Sequence, residues 1–137
     1  KWGAKIEESA KALNGKPVEF AESNIKVTAP VSLEFDGFFS KSDMTPKFKV
    51  NGSAEAASEI NAGVDYVLPK EKVYVVGYNA EGQQVYKINV GSIAVENVDG
   101  KAVVKAGTPV VFSTFHMRYS KAAEYKAAKT VKLEVLR

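Results

Sequence analysis

The chain has 137 residues, 45% of them hydrophobic, and no cysteine, which excludes a disulfide framework, thiolate zinc ligands and a cysteine nucleophile. This length is close to that of one domain with one buried core, so we expect residues 1–137 to form a single domain. The net charge of only +3 falls short of a nucleic-acid-binding footprint, and no apolar run approaches the roughly 20 residues of a membrane-spanning helix.

The chain opens with an amphipathic helical pattern. Trp2, Ile6 and Leu13 share one stripe of a period of about 3.6 residues, while charged residues occupy the other positions. Asn14-Gly15 ends this pattern, because glycine accepts the left-handed conformation of a helix cap. A helix this short is marginal alone, so we predict that it packs against a sheet through Trp2, Ile6 and Leu13.

After the helix, apolar and polar residues alternate with a period of two, which is typical of half-buried strands. The first half of the chain is predicted to contain strands at residues 25–27, 31–35 and 47–50. Pro, Asp, Asn and Gly interrupt the alternation, which predicts bends or turns at Ala29-Pro30, Asp36-Gly37 and Asn51-Gly52. Residues 53–60 carry mixed signals and are assigned as irregular or as a short helix.

The strand signal is stronger in the second half. Strands are predicted at residues 64–68, 72–78, 84–90, 93–98, 102–105, 110–115 and 131–136. The best hairpin tips are Ala80-Glu81-Gly82 and Asp99-Gly100. Residues 120–129 are rich in alanine, which favours a helix or a solvated excursion. The expected fold is mainly β, an antiparallel sandwich or partly closed barrel of about eight to ten short strands with a short N-terminal amphipathic helix.

Catalytic machinery is sparse in this sequence. His116 is the only histidine, so a site with several histidine ligands is excluded and a Ser-His-Asp triad would have to use it. There is no phosphate-binding loop and no dinucleotide-binding glycine fingerprint. We therefore expect no metal, no cofactor and no enzymatic activity, and a carboxylate pair of the glycosidase type is the remaining route to catalysis.

The densest cluster of aromatic and basic side chains covers residues 112–119. On a strand, His116 and Arg118 would share one face, while Phe115 and Met117 would share the other. A structural role is favoured, in which Phe115 and Met117 fill the core and the polar face is solvated. The alternative is a ligand or partner site formed by His116, Arg118 and Tyr119.

Two further groups of aromatic residues are candidate sites or structural clusters. Adjacent Phe38 and Phe39 cannot both point inward on a regular strand, so one exposed ring would be a suitable anchor for a protein or a carbohydrate. The alternative, which is favoured, is a loop that folds over and buries both rings. A cross-strand aromatic ladder with a structural role is expected for Tyr66, Tyr74, Tyr78 and Tyr86.

These observations rank four classes of function. The first is a non-catalytic binding or structural module of the bacterial cell envelope or exterior, with an unknown protein or glycan as partner. The chain begins at Lys1 without methionine, which agrees with a processed form that has lost a targeting segment, with a trimmed chain or with an excised domain. A carrier of a small apolar or amphipathic ligand in a barrel-like cavity is second, and an enzyme is third. Nucleic-acid binding is fourth, because the basic cluster around Arg118 has little net charge behind it.

Overall fold

A computed structural model of the chain describes residues 14–38, 45–63, 70–116 and 127–135. In this part the fold is mainly β, as predicted, and its curled sheets form a half-barrel. The predicted helix through Trp2, Ile6 and Leu13 lies outside the described residues, as do the predicted strand 64–68 and most of the segment 120–129. No helix within the described ranges is long and apolar enough to cross a membrane.

The described residues form eleven strands in three sheets. The strands are β1 (Glu19–Phe20), β2 (Ile25–Phe38), β3 (Pro46–Ala56), β4 (Ile60–Gly63), β5 (Lys70–Tyr78), β6 (Gln84–Ala94), β7 (Glu96–Val98), β8 (Lys101–Val104), β9 (Val110–Phe112), β10 (Phe115–His116) and β11 (Thr130–Val135). One sheet has five strands in the order β1-β11-β5-β6-β9, and the other two have three strands each, β10-β3-β2 and β4-β8-β7. Among these strands, only β1 and β11 pair in parallel.

β3 is longer than the sequence predicted, because the strand continues through Asn51-Gly52 and the expected turn there is wrong. β2 joins the predicted strands 25–27 and 31–35 and continues to Phe38. Ala29 pairs with Ser53 and Ser32 pairs with Asn51, so two residues of β2 lie opposite the single Gly52 of β3. This is a β-bulge inside a continuous hairpin, and it bends both strands at the Pro30 position where a bend was expected. Gly52 adopts a φ of 99°, which few other residues tolerate.

The expected turn at Asp36-Gly37 is also wrong, for the same physical reason. Phe35 pairs with Phe48 and Phe38 pairs with Pro46, so Asp36 and Gly37 form another bulge within β2, whose register also shifts between Val27 and Ala29. Gly37 has a φ of 83°, a conformation that both turns and bulges require. The prediction of irregular structure for residues 53–60 fails as well, since residues 53–56 complete β3 and β4 begins at Ile60.

The hairpin tips of the second half are confirmed. Ala80-Glu81-Gly82 connects β5 to β6, and Asp99-Gly100 connects β7 to β8. Asp99 and Gly100 both have positive φ, 53° and 79°, as the tight primed turns of hairpins require. The predicted strands 84–90 and 93–98 are divided differently, since β6 runs through to Ala94 and β7 starts at Glu96.

Two segments change sheets and join the edges of the half-barrel. Residues 14–18 first hydrogen-bond along β2, where the Val18 N–H donates to the Val31 carbonyl at 2.9 Å, and the chain then pairs with β11 as β1. On the other side, β9 pairs with β6, and the same stretch of chain continues into β10, which pairs with β3. The five-stranded sheet and the β10-β3-β2 sheet therefore face each other across a shared core.

Large apolar side chains make up this core in the described part of the chain. The largest side chains that are fully buried are Phe48, Leu33, Ile93, Leu133, Val73, Val75, Val76, Val90 and Val104. All except Val76 belong to one contiguous cluster. Burial of aliphatic and aromatic side chains from both sheets stabilises the fold by roughly 1.5–3 kcal/mol for each side chain.

One acidic side chain is buried at an end of the core. Glu71 of β5 is only 8% exposed and lies opposite the buried Ile93 of β6. Burial raises the pKa of the Glu71 carboxyl above its ordinary value, because a carboxylate loses solvation there. As the pH rises from the ordinary pKa through the raised one, the unfolded chain releases this proton first, so the folded state loses stability across that window.

The variant Glu71→Gln is therefore expected to flatten this decline and to raise the free energy of unfolding at neutral pH relative to the wild type. The measurement is urea unfolding at a series of pH values from acid to neutral. Glu81→Gln removes the same charge at the exposed hairpin tip and serves as the control. An identical pH dependence in the wild type and Glu71→Gln would contradict the assigned effect of burial.

Candidate functional site

The structure describes only part of the predicted site at residues 116–119. His116 ends β10, is exposed, and pairs with Lys47 of β3. Phe115 is buried, with its ring stacked on Phe48 at a centroid distance of 5.4 Å, so its predicted place in the core is confirmed. Arg118 and Tyr119 lie outside the described residues. Their grouping with His116 stays a prediction.

The predicted aromatic anchor is described only for Phe38. This ring is half-buried and makes an edge-to-face contact with Phe35, with 5.5 Å between the ring centroids. Phe35 in turn lies 5.9 Å from Phe48, so Phe38 extends an aromatic row that begins in the core. Phe39 lies outside the described residues. Phe38 thus stabilises the sheet while part of its surface remains accessible.

The outward face of the β10-β3-β2 sheet carries paired charges. Lys49 contacts Glu34 at 2.9 Å, and Lys47 lies 3.7 Å from Asp36. The hydrogen bond from Lys49 lowers the pKa of the Glu34 carboxyl, and the same bond raises the pKa of Lys49. These pairs are exposed, so water and salt screen them and they contribute little to stability. Their charges balance, which gives this face no strong field for a charged ligand.

Tyr74 and Tyr78 lie on the face of the five-stranded sheet that is opposite the core cluster. Tyr74 and Tyr78 of β5 are half-buried there, as the alternation predicted. The Tyr78 hydroxyl donates to the buried carboxylate of Glu134, and the Lys87 ammonium lies 4.1 Å from the centre of the Tyr74 ring. These contacts cross strands and stabilise the sheet, which supports the structural role predicted for the tyrosines.

The other tyrosines do not join Tyr74 and Tyr78 in the described structure. Tyr86 is buried within the core cluster, where its ring covers Gly77 so closely that a Cβ at Gly77 would overlap it. Tyr66 lies outside the described residues. A hollow of about 400 Å³ opens to solvent beside Tyr78 and the hairpin tip, but mostly small and polar residues line it.

A second hollow, of about 500 Å³, has a more apolar lining and lies where β1 departs from β2. We call it the β1–β2 groove. Its lining residues are Pro17, Val18, Glu19, Phe20, Glu22, Ile25, Val27, Pro30 and Val31. Val27 of the edge strand β2 is 43% exposed, and Phe20 is half-buried. A concave apolar surface of this size falls within the range of ligand-binding sites.

The groove exists because one segment serves two sheets. Val18 bonds to Val31 of β2, but the next residue, Glu19, already pairs with Lys132 of β11. The chain then returns through a turn to Ile25, so β1 and the first part of β2 diverge. Glu22 in this turn is tied to the sheet, since its Oε1 accepts a hydrogen bond from the Val135 N–H at 3.0 Å.

Sequence reasoning missed this groove. Ile25 and Val27 occupy alternate positions of one strand, so the pattern predicts that both are buried. Ile25 is buried at 7% exposure, but Val27 projects into the groove. The only signal in the sequence was Pro30. It marks the bend in β2 between residues 25–27, which border the groove, and residues 31–33, which pair with residues 14–18.

Within the described ranges, no group of three or more acidic or histidine side chains is placed to hold a metal ion. No family model matches the chain, and no curated protein or solved structure is significantly similar to it. The structural class of this protein is therefore defined by its fold and its groove alone. It is a mainly β half-barrel with an open apolar groove between two diverging strands.

Proposed function

We propose that this chain is a non-catalytic binding module of the bacterial cell envelope or exterior, and that it holds its partner in the β1–β2 groove. The observation that carries the proposal is the exposure of Val27 within an apolar groove of about 500 Å³. Apolar side chains that are exposed to water at a concave surface raise the free energy of the free protein. This cost is removed when a partner buries them. The partner is a protein or a glycan.

The two described hollows support binding at the surface over carriage of a ligand inside. Leu33, Phe48 and Leu133 are fully buried and belong to one cluster of buried hydrophobic residues. A carrier needs an internal space of several hundred Å³. The two hollows described above instead open to solvent at the surface.

Mutation of the groove tests this proposal. Binders would be selected from a phage-displayed peptide library and from a glycan array with the wild-type protein, and their affinities measured again with Val27→Glu. A carboxylate in the groove is expected to weaken binding by at least about tenfold, since a charge would have to be desolvated against apolar surface. The result to expect is a selective loss, with no change in folding by circular dichroism.

The matched control is Val111→Glu. Val111 of β9 is 60% exposed and lies outside the groove lining, so the same substitution there changes charge and solubility equally. Binding by this variant should stay within about twofold of the wild type. Equal losses in both variants, or no loss in either, would show that the groove is not the binding site.

The proposed compartment, the bacterial cell envelope or exterior, is inferred from the mainly β class of fold. Fractionation of the source cells with an antibody to the chain tests it. Recovery from the periplasm or the cell surface is the expected result. Recovery with cytoplasmic marker proteins would contradict it.

A further inference from the structure

The β1–β2 groove is bordered by backbone groups of β2 that have no strand beside them in the described part of the chain. The Ala57 N–H donates to the Asn24 carbonyl at 2.8 Å, so Asn24 faces β3. Backbone groups alternate in direction along an antiparallel pair. Lys26 therefore also faces β3, and the N–H and C=O groups of Ile25 and Val27 point the other way, into the groove.

The same edge of β2 is paired farther along. The Gly15 N–H donates to the Leu33 carbonyl, the Leu33 N–H donates to the Lys16 carbonyl, and Val18 bonds to Val31. Pro17 also bridges Ser32 in antiparallel register. Residues 14–18 thus form an antiparallel neighbour for the upper part of β2. This pairing ends at Val18. Within the described part of the chain, the same edge of β2 has no paired strand at residues 25–27.

The opposite wall of the groove has the same character. The Ala21 N–H donates to the Leu133 carbonyl at 2.8 Å, so Ala21 faces β11. Phe20, one residue earlier, then turns its backbone groups away from β11 and toward the groove. Both walls therefore offer main-chain hydrogen-bonding groups, and Phe20 and Val27 are among the apolar residues that line the groove.

The lining also has one sign of charge. Glu19 and Glu22 are the charged residues of this lining within the described part of the chain. The Glu22 carboxylate already accepts the Val135 N–H, so Glu19 supplies the accessible charge. Glu19 is exposed at the rim. A ligand that carries Lys or Arg beside apolar side chains complements this lining.

We propose that the occupant of the groove is an extended, basic and apolar peptide segment of a partner protein, which adds as a strand antiparallel to β2 beside residues 25–27. This inference rests on the binding function proposed above and names the partner for the same site. The added strand continues along the edge of β2 from the point where residues 14–18 stop pairing with it. It supplies a neighbour for residues 25–27. In such strand addition, main-chain hydrogen bonds provide affinity and alternate side chains provide specificity.

The direct probe is an acetylated and amidated heptapeptide of alternating valine and lysine, titrated into the ¹⁵N-labelled protein. We expect saturable binding, with the Ile25 and Val27 amide protons shifting downfield and gaining protection from hydrogen exchange. A heptapeptide of alternating valine and glutamate keeps the strand pattern and reverses the charge. It should bind at least about tenfold more weakly at low salt.

Backbone methylation separates strand addition from other ways of filling the groove. Two further valine-lysine heptapeptides would carry N-methyl groups on the odd or on the even amides. The side chains are unchanged, but only one of the two sets of amides can face β2. Methylation of that set should weaken binding at least about tenfold more than methylation of the other set.

The outcomes distinguish this inference from the proposed function. If the valine-lysine peptide loses affinity with Val27→Lys, and not with Val111→Lys, but both methylated peptides bind alike, the groove remains the binding site and strand addition is overturned. If the peptide binds equally well to Val27→Lys, both proposals fail at this site. Strand addition is also overturned if no heptapeptide binds up to about 1 mM, or if the groove amides shift only on self-association of the chain.

Discussion

Replacing Phe48 with alanine is expected to lower the free energy of unfolding by about 3–5 kcal/mol. Phe48 has 0% exposure and sits in β3 between β2 and β10. Its ring stacks on Phe115 at 5.4 Å and lies 5.9 Å from Phe35, so one side chain connects all three strands of this sheet. Truncation leaves a cavity that rigid neighbouring strands cannot close. Urea unfolding followed by circular dichroism measures the loss.

Phe38→Ala is the matched control for this prediction. Phe38 pairs with Phe35 on the same sheet but is only half-buried, so its removal exposes its site to water and leaves no closed cavity. We expect a loss of about 1–2 kcal/mol. Similar losses for the two variants would mean that the Phe48 ring is not the centre of the core, in disagreement with the structure.

Gly52→Ala is expected to cost about 2–4 kcal/mol, because it combines a backbone penalty with a steric one. Gly52 has a φ of 99°, and a Cβ at this position would overlap the carbonyl group of Pro30 across the bulge. The obstruction is backbone, so it cannot be relieved by rotation of a side chain. Either β2 and β3 separate or the bulge rearranges.

Gly82→Ala separates the two contributions. Gly82 also has a positive φ, 79°, but no atom lies within 4 Å of the position its Cβ would take. This variant should therefore lose only about 1 kcal/mol from backbone strain, and chemical denaturation of both variants gives the difference. If Gly82→Ala were as damaging as Gly52→Ala, close approach of the strands at the bulge would not be the cause.

The Gly52 bulge also connects stability to the proposed site. Pro30 and Val31, the two residues opposite Gly52, belong to the lining of the β1–β2 groove. Because the bulge turns β2 at this point, the lower part of the strand diverges from β1. A folded Gly52→Ala protein is therefore expected to bind the valine-lysine heptapeptide more weakly, whereas Gly82→Ala should bind it as the wild type does.

Local chemistry was enough to predict the class of fold and several of its elements. Alternation of apolar and polar residues predicted β5 and β11, since alternate apolar residues of each strand face the core cluster. Asp99-Gly100 predicted a tight hairpin because few other residue pairs accept positive φ at both positions. These predictions succeeded because each depends on residues next to one another in the chain.

Predictions failed where the same local requirement has two tertiary solutions. Gly37 and Gly52 need positive φ, which a turn and a bulge provide equally well, and only the pairing of β2 with β3 selected the bulge. The exposure of Val27 had the same origin. The sequence by itself determined that residues 25–27 form a strand with one apolar face. Whether a neighbour covers that strand was decided only in the tertiary structure, because it depends on where residues 14–20 leave β2 for β11.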